Sequence, residues 1–214
     1  MIKVLIADDH PVVREGLKQI ISKAIDMTVS GEALNGQEVL DKVRAEHWDV
    51  LVLDLNMPRH DGLEIIKELR RERQKLPILI LSVHPEDQFG VRVLKAGASG
   101  FMNKEAAPKE LITAIRKIVT GGKYISSSLA EKLADRLDLD ATVQPHESLS
   151  DREYQVFCMI VSGKSVKEMA EQLAISEKTV RTYRDRIMMK MNMKNDVELT
   201  RYAILHKLVE RTIG

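Results

Sequence analysis

The sequence of 214 residues contains a single cysteine, Cys158, and lacks any run of 18 apolar residues. One cysteine cannot form a disulfide within the chain, and without a long apolar run we expect no transmembrane helix. The chain also starts without an apolar signal segment. Together these absences predict a reduced, cytoplasmic, soluble protein that does not engage a membrane.

Neither sign of charge dominates, because 33 basic residues face 32 acidic ones and the formal net charge is +1. The overall balance therefore points to no polyanionic partner. The sequence also lacks the P-loop pattern and the G-x-G-x-x-G pattern, so no motif supports nucleotide binding. Its six histidines include no pair at metal-ligand spacing on one predicted element. The candidate chemistry lies instead in the carboxylates.

Three short apolar runs each end in a polar side chain. Continuous runs of this length are typical of strands that are buried on both faces, as in a parallel sheet covered by helices. In such sheets, ligands bind outside the carboxyl ends of the strands. The pattern therefore predicts three carboxylates and a hydroxyl at one edge of a sheet. The runs and their polar ends are 4–7 with Asp8 and Asp9, 50–53 with Asp54, and 78–81 with Ser82.

Three crowded carboxylates are unfavourable unless a cation or a proton neutralises them. Mg²⁺, a hard ion that prefers oxygen ligands, would neutralise this negative charge. It can coordinate phosphoryl oxygens and leave one carboxylate free to attack phosphorus, giving an aspartyl phosphate. Lys104 follows the apparent last strand, 99–103, and would supply a cation to the same edge. The alternative is that each of these side chains is an ordinary polar cap on a buried strand.

These residues and their neighbours resemble a response-regulator receiver domain. The matching positions run in the family's order from residue 1 to about 124. They are Asp8-Asp9, Asp54-Leu55-Asn56-Met57-Pro58, Asp61-Gly62, Ser82, Lys95-Ala96-Gly97-Ala98-Ser99-Gly100-Phe101 and Lys104. The resemblance implies that Asp54 accepts a phosphoryl group from a sensor histidine kinase. It also implies that Asp9, Asp54 and the backbone carbonyl of Asn56 hold Mg²⁺, with Asp8 acting through water.

The resemblance further implies that Ser82 and Lys104 contact the phosphoryl oxygens and that Phe101 is the aromatic switch residue. Two positions depart from the family's commonest pattern. Glu105 follows Lys104 where the family usually has a proline after a cis peptide bond, so this bond is either trans or strained. Val83 stands where a smaller residue is commoner, which would narrow access to the phosphoryl group.

The alternation of strands and helices up to Gly121-Gly122 predicts an α/β fold, a doubly wound five-stranded parallel sheet of the flavodoxin-like kind. Candidate helices cover residues 11–24, 36–46, 62–73, 86–96 and 108–120, and a serine-capped amphipathic helix covers 126–137. A polar stretch, 138–147, predicts a flexible linker. The expected domains are 1–124, a linker with a helix at 125–147, and 148–214.

Residues 149–209 show helical periodicity only and predict an all-α domain of four helices. Ser150 and Glu153 form a capping-box pattern at the start of the first helix. The second helix covers about 166–173, and Ser176 is expected to cap the third. A helix, a three-residue break and another helix have the proportions of a helix-turn-helix.

The third of these helices carries a local charge that the whole chain does not. Residues 176–194 contain six basic and two acidic side chains. Val180, Ile187 and Met191 are predicted to face the core, whereas Lys178, Arg181, Thr182 and Asp185 lie on another side. A solvated basic helix is the plain alternative. The turn spacing, the capping and the outward basic face together favour a helix that enters the major groove of DNA.

This half resembles the LuxR-type helix-turn-helix through residues 149–153, 163–165, 168–170 and 175–180. With the receiver, the whole chain resembles a NarL/FixJ-family response regulator, and segments 183–184 and 195–200 resemble its GacA/UvrY subgroup. The resemblance implies binding to promoter DNA as a homodimer when phosphorylated. It assigns base-edge contacts to Arg181, Thr182 and Asp185, and phosphate contacts to Lys178, Thr179 and Lys190.

Several alternatives stay open from the sequence. Asp185 could accept a hydrogen bond from cytosine, or could pair with Arg181. The last helix, predicted at about 196–209, could complete the core or pair with a second copy.

The function of the whole chain also has alternatives. The chain could be a phosphohydrolase that passes through an aspartyl phosphate. However, Asn56 stands where dehalogenase-type phosphatases have an acid, and we expect the chain not to be an enzyme. It could also be an interaction module whose basic helix binds protein, or a DNA binder that ignores phosphorylation.

Overall fold

The computed structural model describes residues 1–57, 62–72, 75–83, 86–135, 144–206 and 208. The chain divides into two compact units, Met1–Leu133 and Ala134–Gly214. Each unit is described by itself.

The first unit is a parallel sheet of five strands in the order β2-β1-β3-β4-β5. The strands are β1 Ile2–Ala7, β2 Met27–Ala33, β3 Val50–Asp54, β4 Ile78–Ser82 and β5 Gly100–Asn103. The helices are α1 Pro11–Ile21, α2 Gly36–Ala45, α3 Gly62–Glu72, α4 Glu86–Ala96, α5 Ala107–Val119 and α6 Ser127–Asp135. The predicted doubly wound α/β fold is confirmed.

The apolar runs form the centre of the sheet. Every residue of β3 and β4 is buried, and so are residues 4–7 of β1. The edge strand β2 differs, because only Met27 and Ala33 are buried at its two ends. Its register against β1 also shifts between Val4 and Leu5. A half-exposed strand with such a sequence carries no continuous apolar run, which is why the sequence did not locate it.

Two helix boundaries differ from the sequence expectation. α1 ends at Ile21 rather than at residue 24, and α6 begins at Ser127 rather than at residue 126, while residues 136 and 137 lie outside the described residues. Backbone N–H groups of Ser22 and Ala24 bond to carbonyls of the last turn of α1, which closes it. Ser126 stands just before α6 instead of within it.

The second unit contains the four expected helices: α7 Asp151–Val161, α8 Val166–Leu173, α9 Glu177–Met191 and α10 Asp196–Leu205. Ser150 and Ser176 accept the expected capping hydrogen bonds at α7 and α9, and Ser165, which was not predicted, caps α8 in the same way. The all-α domain and its helix-turn-helix spacing are thus observed as predicted.

Two expectations in the second unit need correction. α10 ends at Leu205 rather than at residue 209, because Leu208 donates its N–H to the carbonyl of Ala203 and is buried. Within the predicted flexible linker, residues 138–143 lie outside the described residues, whereas Pro145–Ser148 form a turn of 3₁₀ helix. In the described residues, no helix combines the length and the apolarity that crossing a membrane requires.

Candidate metal centre and nucleic-acid interface

Two of the carboxylates predicted to meet at one sheet edge, Asp8 and Asp54, lie around the ammonium group of Lys104. Lys104 Nζ lies 2.7 Å from Asp8 Oδ2 and 2.9 Å from Asp54 Oδ2. Asp8 and Asp54 are buried, with 1% and 3% of their surface exposed. One lysine thus bridges two buried carboxylates that come from adjacent strands.

The backbone holds these side chains in place. Asp54 is the last residue of β3, and its Oδ1 accepts a hydrogen bond from the N–H of Asn56 at 3.1 Å. Asp8 Oδ1 accepts the N–H of His10 at 2.8 Å. Lys104 directly follows β5, where the Asn103 side chain accepts the N–H of Glu105 and starts a short 3₁₀ turn. The carboxylates are therefore fixed before any ligand arrives.

Burial and charge act against one another here. Burial raises the pKa of Asp54, Lys104 opposes that rise, and the Asp8 charge adds to it. For Lys104, burial works to lower the pKa, but the carboxylates of Asp54 and Asp8 outweigh it and the pKa is raised. The lysine is held as a cation, and Asp54 resists carrying a full negative charge. A second cation at this edge would favour the ionised form of Asp54.

The oxygen donors fit a divalent cation. Ligand atoms from Asp8, Asp9, His10 and Asp54 all lie within 4.8 Å of one another. Asp9 Oδ1 is buried and has no hydrogen-bond partner among the described residues. His10 Nδ1 is only 2.8 Å from that oxygen, but the two atoms are not in hydrogen-bond geometry. An orphaned carboxylate oxygen beside two further carboxylates is what a hard metal ion would satisfy.

The remaining expected residues of this edge are also in place. Ser82 ends β4 and is fully buried, and its register partner on β5 is Asn103. Phe101 lies in β5 and is 2% exposed. Val83 is exposed, at 63% of its surface. The Lys104–Glu105 bond is trans, since the described residues contain no cis peptide, so the trans alternative for this position holds.

On α9 the predicted division into two faces is observed. Val180, Ile187 and Met191 are buried. The side chains expected to face outward are exposed: Lys178, Arg181, Thr182 and Asp185. Thr179 is half-buried, and its N–H donates to Ser176 Oγ, so it belongs to the helix cap. The exposed side chains form one surface on the first turns of the helix.

Ion pairs distinguish the basic residues of α9. Arg181 pairs with Glu177 at 3.5 Å and not with Asp185, which decides one alternative left by the sequence. Lys190 donates to Glu153 Oε2 on α7 at 2.6 Å. Sequence reasoning placed Lys190 among the phosphate contacts and missed this pair. In the part of the chain that the structure describes, Lys178 is exposed and makes no ion pair.

α10 serves the core and also presents an apolar surface. Leu199 and Ala203 are fully buried. On the other side Val197, Ile204 and Leu205 are exposed by 76%, 42% and 70%. With the aliphatic stems of neighbouring polar residues they line a shallow apolar cavity. The buried side of α10 fulfils the core role that the sequence left open, and the exposed side of the same helix is apolar.

Comparison with known proteins agrees with this geometry. A response regulator receiver domain model matches residues 4–116, and a model of bacterial regulatory proteins of the luxR family matches residues 147–203. The chain is 40% identical over 209 residues to the response regulator UvrY of Escherichia coli strain K12, covering 97% of this chain and 96% of that protein. It is 37% identical over 213 residues to the response regulator GacA of Pseudomonas protegens, and both chains are covered completely.

Solved structures of response regulators are also similar to this chain. RcsB from Salmonella enterica serovar Typhimurium, bound to promoter rprA in the presence of phosphomimetic BeF₃⁻, matches with a TM-score of 0.63 at 28% identity, covering 94% of this chain and 98% of that one. A complex of the response regulator RcsB with DNA matches with a TM-score of 0.59 at 28% identity, covering 98% of this chain and 99% of that one.

Proposed function

This chain belongs to the NarL/FixJ family of response regulators, the phosphorylation-dependent DNA-binding transcription regulators of two-component systems, and we propose that Asp54 is its phosphoacceptor. The observation that carries this proposal is the position of Asp54, buried at the end of β3 between Asp8 and Lys104. The partner kinase would be a sensor histidine kinase.

The chemistry is a phosphoryl transfer between two nucleophiles. A carboxylate oxygen of Asp54 forms a bond to phosphorus, while the bond from phosphorus to the kinase histidine nitrogen breaks and its electron pair stays on nitrogen. In the structure, Lys104 Nζ donates a hydrogen bond to Asp54 Oδ2. After the transfer, Lys104 Nζ would contact one phosphoryl oxygen, and the hydroxyl of Ser82 would donate to another. Burial keeps competing water away from Asp54.

Asp9, Asp54 and the backbone carbonyl of Asn56 would hold Mg²⁺, with Asp8 acting through water. When bound, Mg²⁺ coordinates phosphoryl oxygens and neutralises their charge. The buried, orphaned Oδ1 of Asp9 supports this assignment. His10 lies beside the same oxygen and would limit how far the Asp9 side chain can turn.

The DNA-reading surface would be the exposed side of α9. Lys178, Thr179 and Lys190 are proposed to contact phosphates, and Arg181, Thr182 and Asp185 to contact base edges. Lys190 would have to share its ammonium group with Glu153. The apolar surface of α10, residues 197, 204 and 205, would join two copies on DNA, as a twofold half-site arrangement requires.

Phosphate adds about −1.5 to −2 charges to Asp54 and three acceptor oxygens. It can shift the protein toward a DNA-binding state only by as much as it stabilises that state over the other. Phe101 would repack as Ser82 and Lys104 turn toward the phosphate.

We also propose the division into a receiver at 1–124, a linker at 125–147 and a DNA-binding domain at 148–214. The chain is proposed not to act as an enzyme, since Asn56 cannot donate a proton to a leaving group.

The test uses the full chain with acetyl phosphate and MgCl₂. Mass spectrometry should locate an acyl phosphate on Asp54, and sequencing of retained DNA fragments should show enrichment that rises with the phosphodonor. Asp54→Asn should lose both responses, whereas Asp41→Asn, a matched change at an exposed position on α2, should keep them. A wild-type chain that binds DNA equally with and without the phosphodonor contradicts the proposed switch. Repeated turnover of small phosphomonoesters would favour the phosphohydrolase instead.

A further inference from the structure

Residues 123–130, which follow α5, are held against the rest of the first unit. We call this segment the strap. Tyr124 forms a parallel bridge with Gly100 on the outer edge of β5. Its carbonyl accepts the N–H of Phe101 at 3.0 Å, and its N–H donates to the carbonyl of Ser99 at 3.1 Å. The strap thus covers part of the open edge of the sheet.

Side chains hold the same segment on both flanking helices. The Tyr124 hydroxyl donates to Glu110 on α5, and burial together with that carboxylate raises the pKa of Tyr124 to about 12. Lys123 Nζ donates to the carbonyl of Ala98 at 2.8 Å. Leu129 is fully buried, and a Cβ added at Gly90 on α4 would stand 2.7 Å from its Cδ2. The glycine leaves room for this leucine against α4.

The start of α6 is capped by two different elements. Ser126 Oγ accepts the N–H of Leu129, the ordinary half of a capping box. In a complete box the reciprocal acceptor is a glutamate three residues after the cap, but here that residue is Leu129. Glu86, the first residue of α4, supplies the missing carboxylate and accepts the N–H of Ser126 at 3.1 Å. The cap of α6 therefore depends on the position of α4.

The two residues that hold the strap, Glu86 and Phe101, both lie near residues of the proposed phosphorylation site in the sequence. Ser82, expected to turn toward the phosphoryl group, stands only four residues before Glu86 in the sequence. Phe101, the expected switch residue, donates its N–H directly to the strap. Ser82 is thus close in sequence to Glu86, one anchor of the strap, and Phe101 is itself an anchor.

We propose that the strap is a conformational latch, in which Glu86 and Phe101 hold residues 123–130 on the receiver and phosphorylation releases them. This inference rests on the proposed function of Asp54. Release of eight residues lengthens the tether to the second unit by up to about 25 Å, at the extended reach of each residue. Half-sites on DNA stand roughly 34 Å apart, so a longer tether eases simultaneous binding by two copies. The docked strap opposes DNA binding.

The first arm of the test leaves phosphorylation out. In the full chain, Glu86→Ala should speed amide hydrogen exchange in peptides from 123–135 by roughly tenfold, the effect of removing an acceptor that holds a marginal cap. It should also raise DNA affinity roughly threefold to tenfold without a phosphodonor. Glu86→Gln, which keeps an acceptor oxygen, should behave like wild type, and so should Glu64→Ala, an exposed change on α3. Leu129→Ala gives a second, independent way to release the strap.

The second arm compares wild type before and after acetyl phosphate, with occupancy of Asp54 measured by mass spectrometry. Phosphorylation should raise exchange in the strap, and Asp54→Asn should not respond. Fully phosphorylated protein with an unchanged strap overturns the latch and leaves the proposed function intact. Released strap variants whose DNA affinity matches wild type also overturn it. If no acyl phosphate forms on Asp54, the proposed function fails, and the Glu86 and Leu129 variants still decide whether the strap restrains DNA binding.

Discussion

Lys190 on α9 and Glu153 on α7 form an ion pair in which Nζ lies 2.6 Å from Oε2. The glutamate side chain is almost fully buried, whereas the lysine is 40% exposed. The same Oε2 accepts the N–H of Ser150, so one carboxylate closes the cap of α7 and holds the C-terminal end of α9. This pair links the cap of α7 to the orientation of α9 within the second unit.

Replacing Glu153 with glutamine should lower the free energy of unfolding of the second unit by about 1.5–3 kcal/mol, the usual range for a hydrogen bond to a charged group. Glutamine keeps an acceptor for Ser150 and removes only the charge. Denaturant unfolding followed by circular dichroism measures the loss. Glu171→Gln, an exposed change on α8, is the control and should stay within about 0.5 kcal/mol of wild type. A Glu153→Gln chain as stable as wild type would show that the pair contributes nothing.

The same pair predicts a dependence on pH. Burial works to raise the pKa of Glu153, but the hydrogen bonds from Lys190 and Ser150 outweigh it and hold the pKa below its ordinary value of 4.5. A carboxyl group with a lowered folded pKa stabilises the protein above its unfolded pKa and loses that effect as the pH falls through the folded pKa. The Tm gap between wild type and Glu153→Gln should therefore be constant above about pH 5 and should narrow below pH 4.5. A gap that widens on acidification would reverse this sign.

Lys104 neutralises Asp8 and Asp54, so a divalent cation at this edge would compete with it. Lys104→Met removes the ammonium group, and we expect Mg²⁺ to bind this variant roughly tenfold more tightly, because the variant lacks a positive charge that repels the ion at close range. Isothermal titration calorimetry measures the affinity. Asp9→Asn should weaken binding in the same assay, and Lys42→Met on α2 should leave it unchanged. Equal Mg²⁺ affinity in wild type, Lys104→Met and Asp9→Asn would show that Mg²⁺ does not bind at this edge of the sheet.

The exposed and buried sides of α10 should respond differently to substitution. Leu205→Asp, at a position that is 70% exposed, should change stability by less than about 0.5 kcal/mol yet abolish cooperative binding to paired half-sites. Leu199→Ala, at a fully buried position, should cost about 2–5 kcal/mol of stability. Analytical ultracentrifugation with a two-site DNA duplex separates the two effects. Unaltered cooperativity in Leu205→Asp would place the interface between copies elsewhere.

The sheet-edge residues could be predicted because each closes a continuous apolar run, and parallel strands bring their carboxyl ends together. β2 could not be located in the same way, since Met27 and Ala33 are its only buried residues and they lie at opposite ends. The strap shows a different limit. The single bridge at Tyr124 has no periodicity, and its cap depends on Glu86, 40 residues earlier in the chain. Local patterns predict local structure, and such long-range contacts leave no signal in them.

Lys190 shows the same limit within the DNA-binding surface. The resemblance to the LuxR-type helix-turn-helix assigned Lys190 a phosphate contact, and its partner Glu153 was assigned from the sequence to the cap of α7 alone. The pair spans 37 positions of sequence, so neither helix pattern reveals it. Lys178 has no such partner in the described part of the chain. The two lysines are therefore expected to differ: Lys178→Ala should weaken DNA binding evenly across sequences and reduce the salt slope by about one, and Lys190→Ala should also destabilise the fold.

Asp185 offers the sharpest test of sequence reading by α9. Its carboxylate is exposed and does not pair with Arg181, whose ion pair is with Glu177. A carboxylate near phosphates is repelled, so its position on the outward face favours acceptance of a hydrogen bond from cytosine N4. Asp185→Ala should relax the preference at one base pair, a discrimination of about 1–3 kcal/mol, while affinity for unrelated DNA rises because a negative charge is removed. Selection from a randomised duplex library, with wild type and variant side by side, measures both effects. If the preferred base pairs are identical for the two proteins, Asp185 does not contact a base, and Arg181 and Thr182 carry the sequence reading alone.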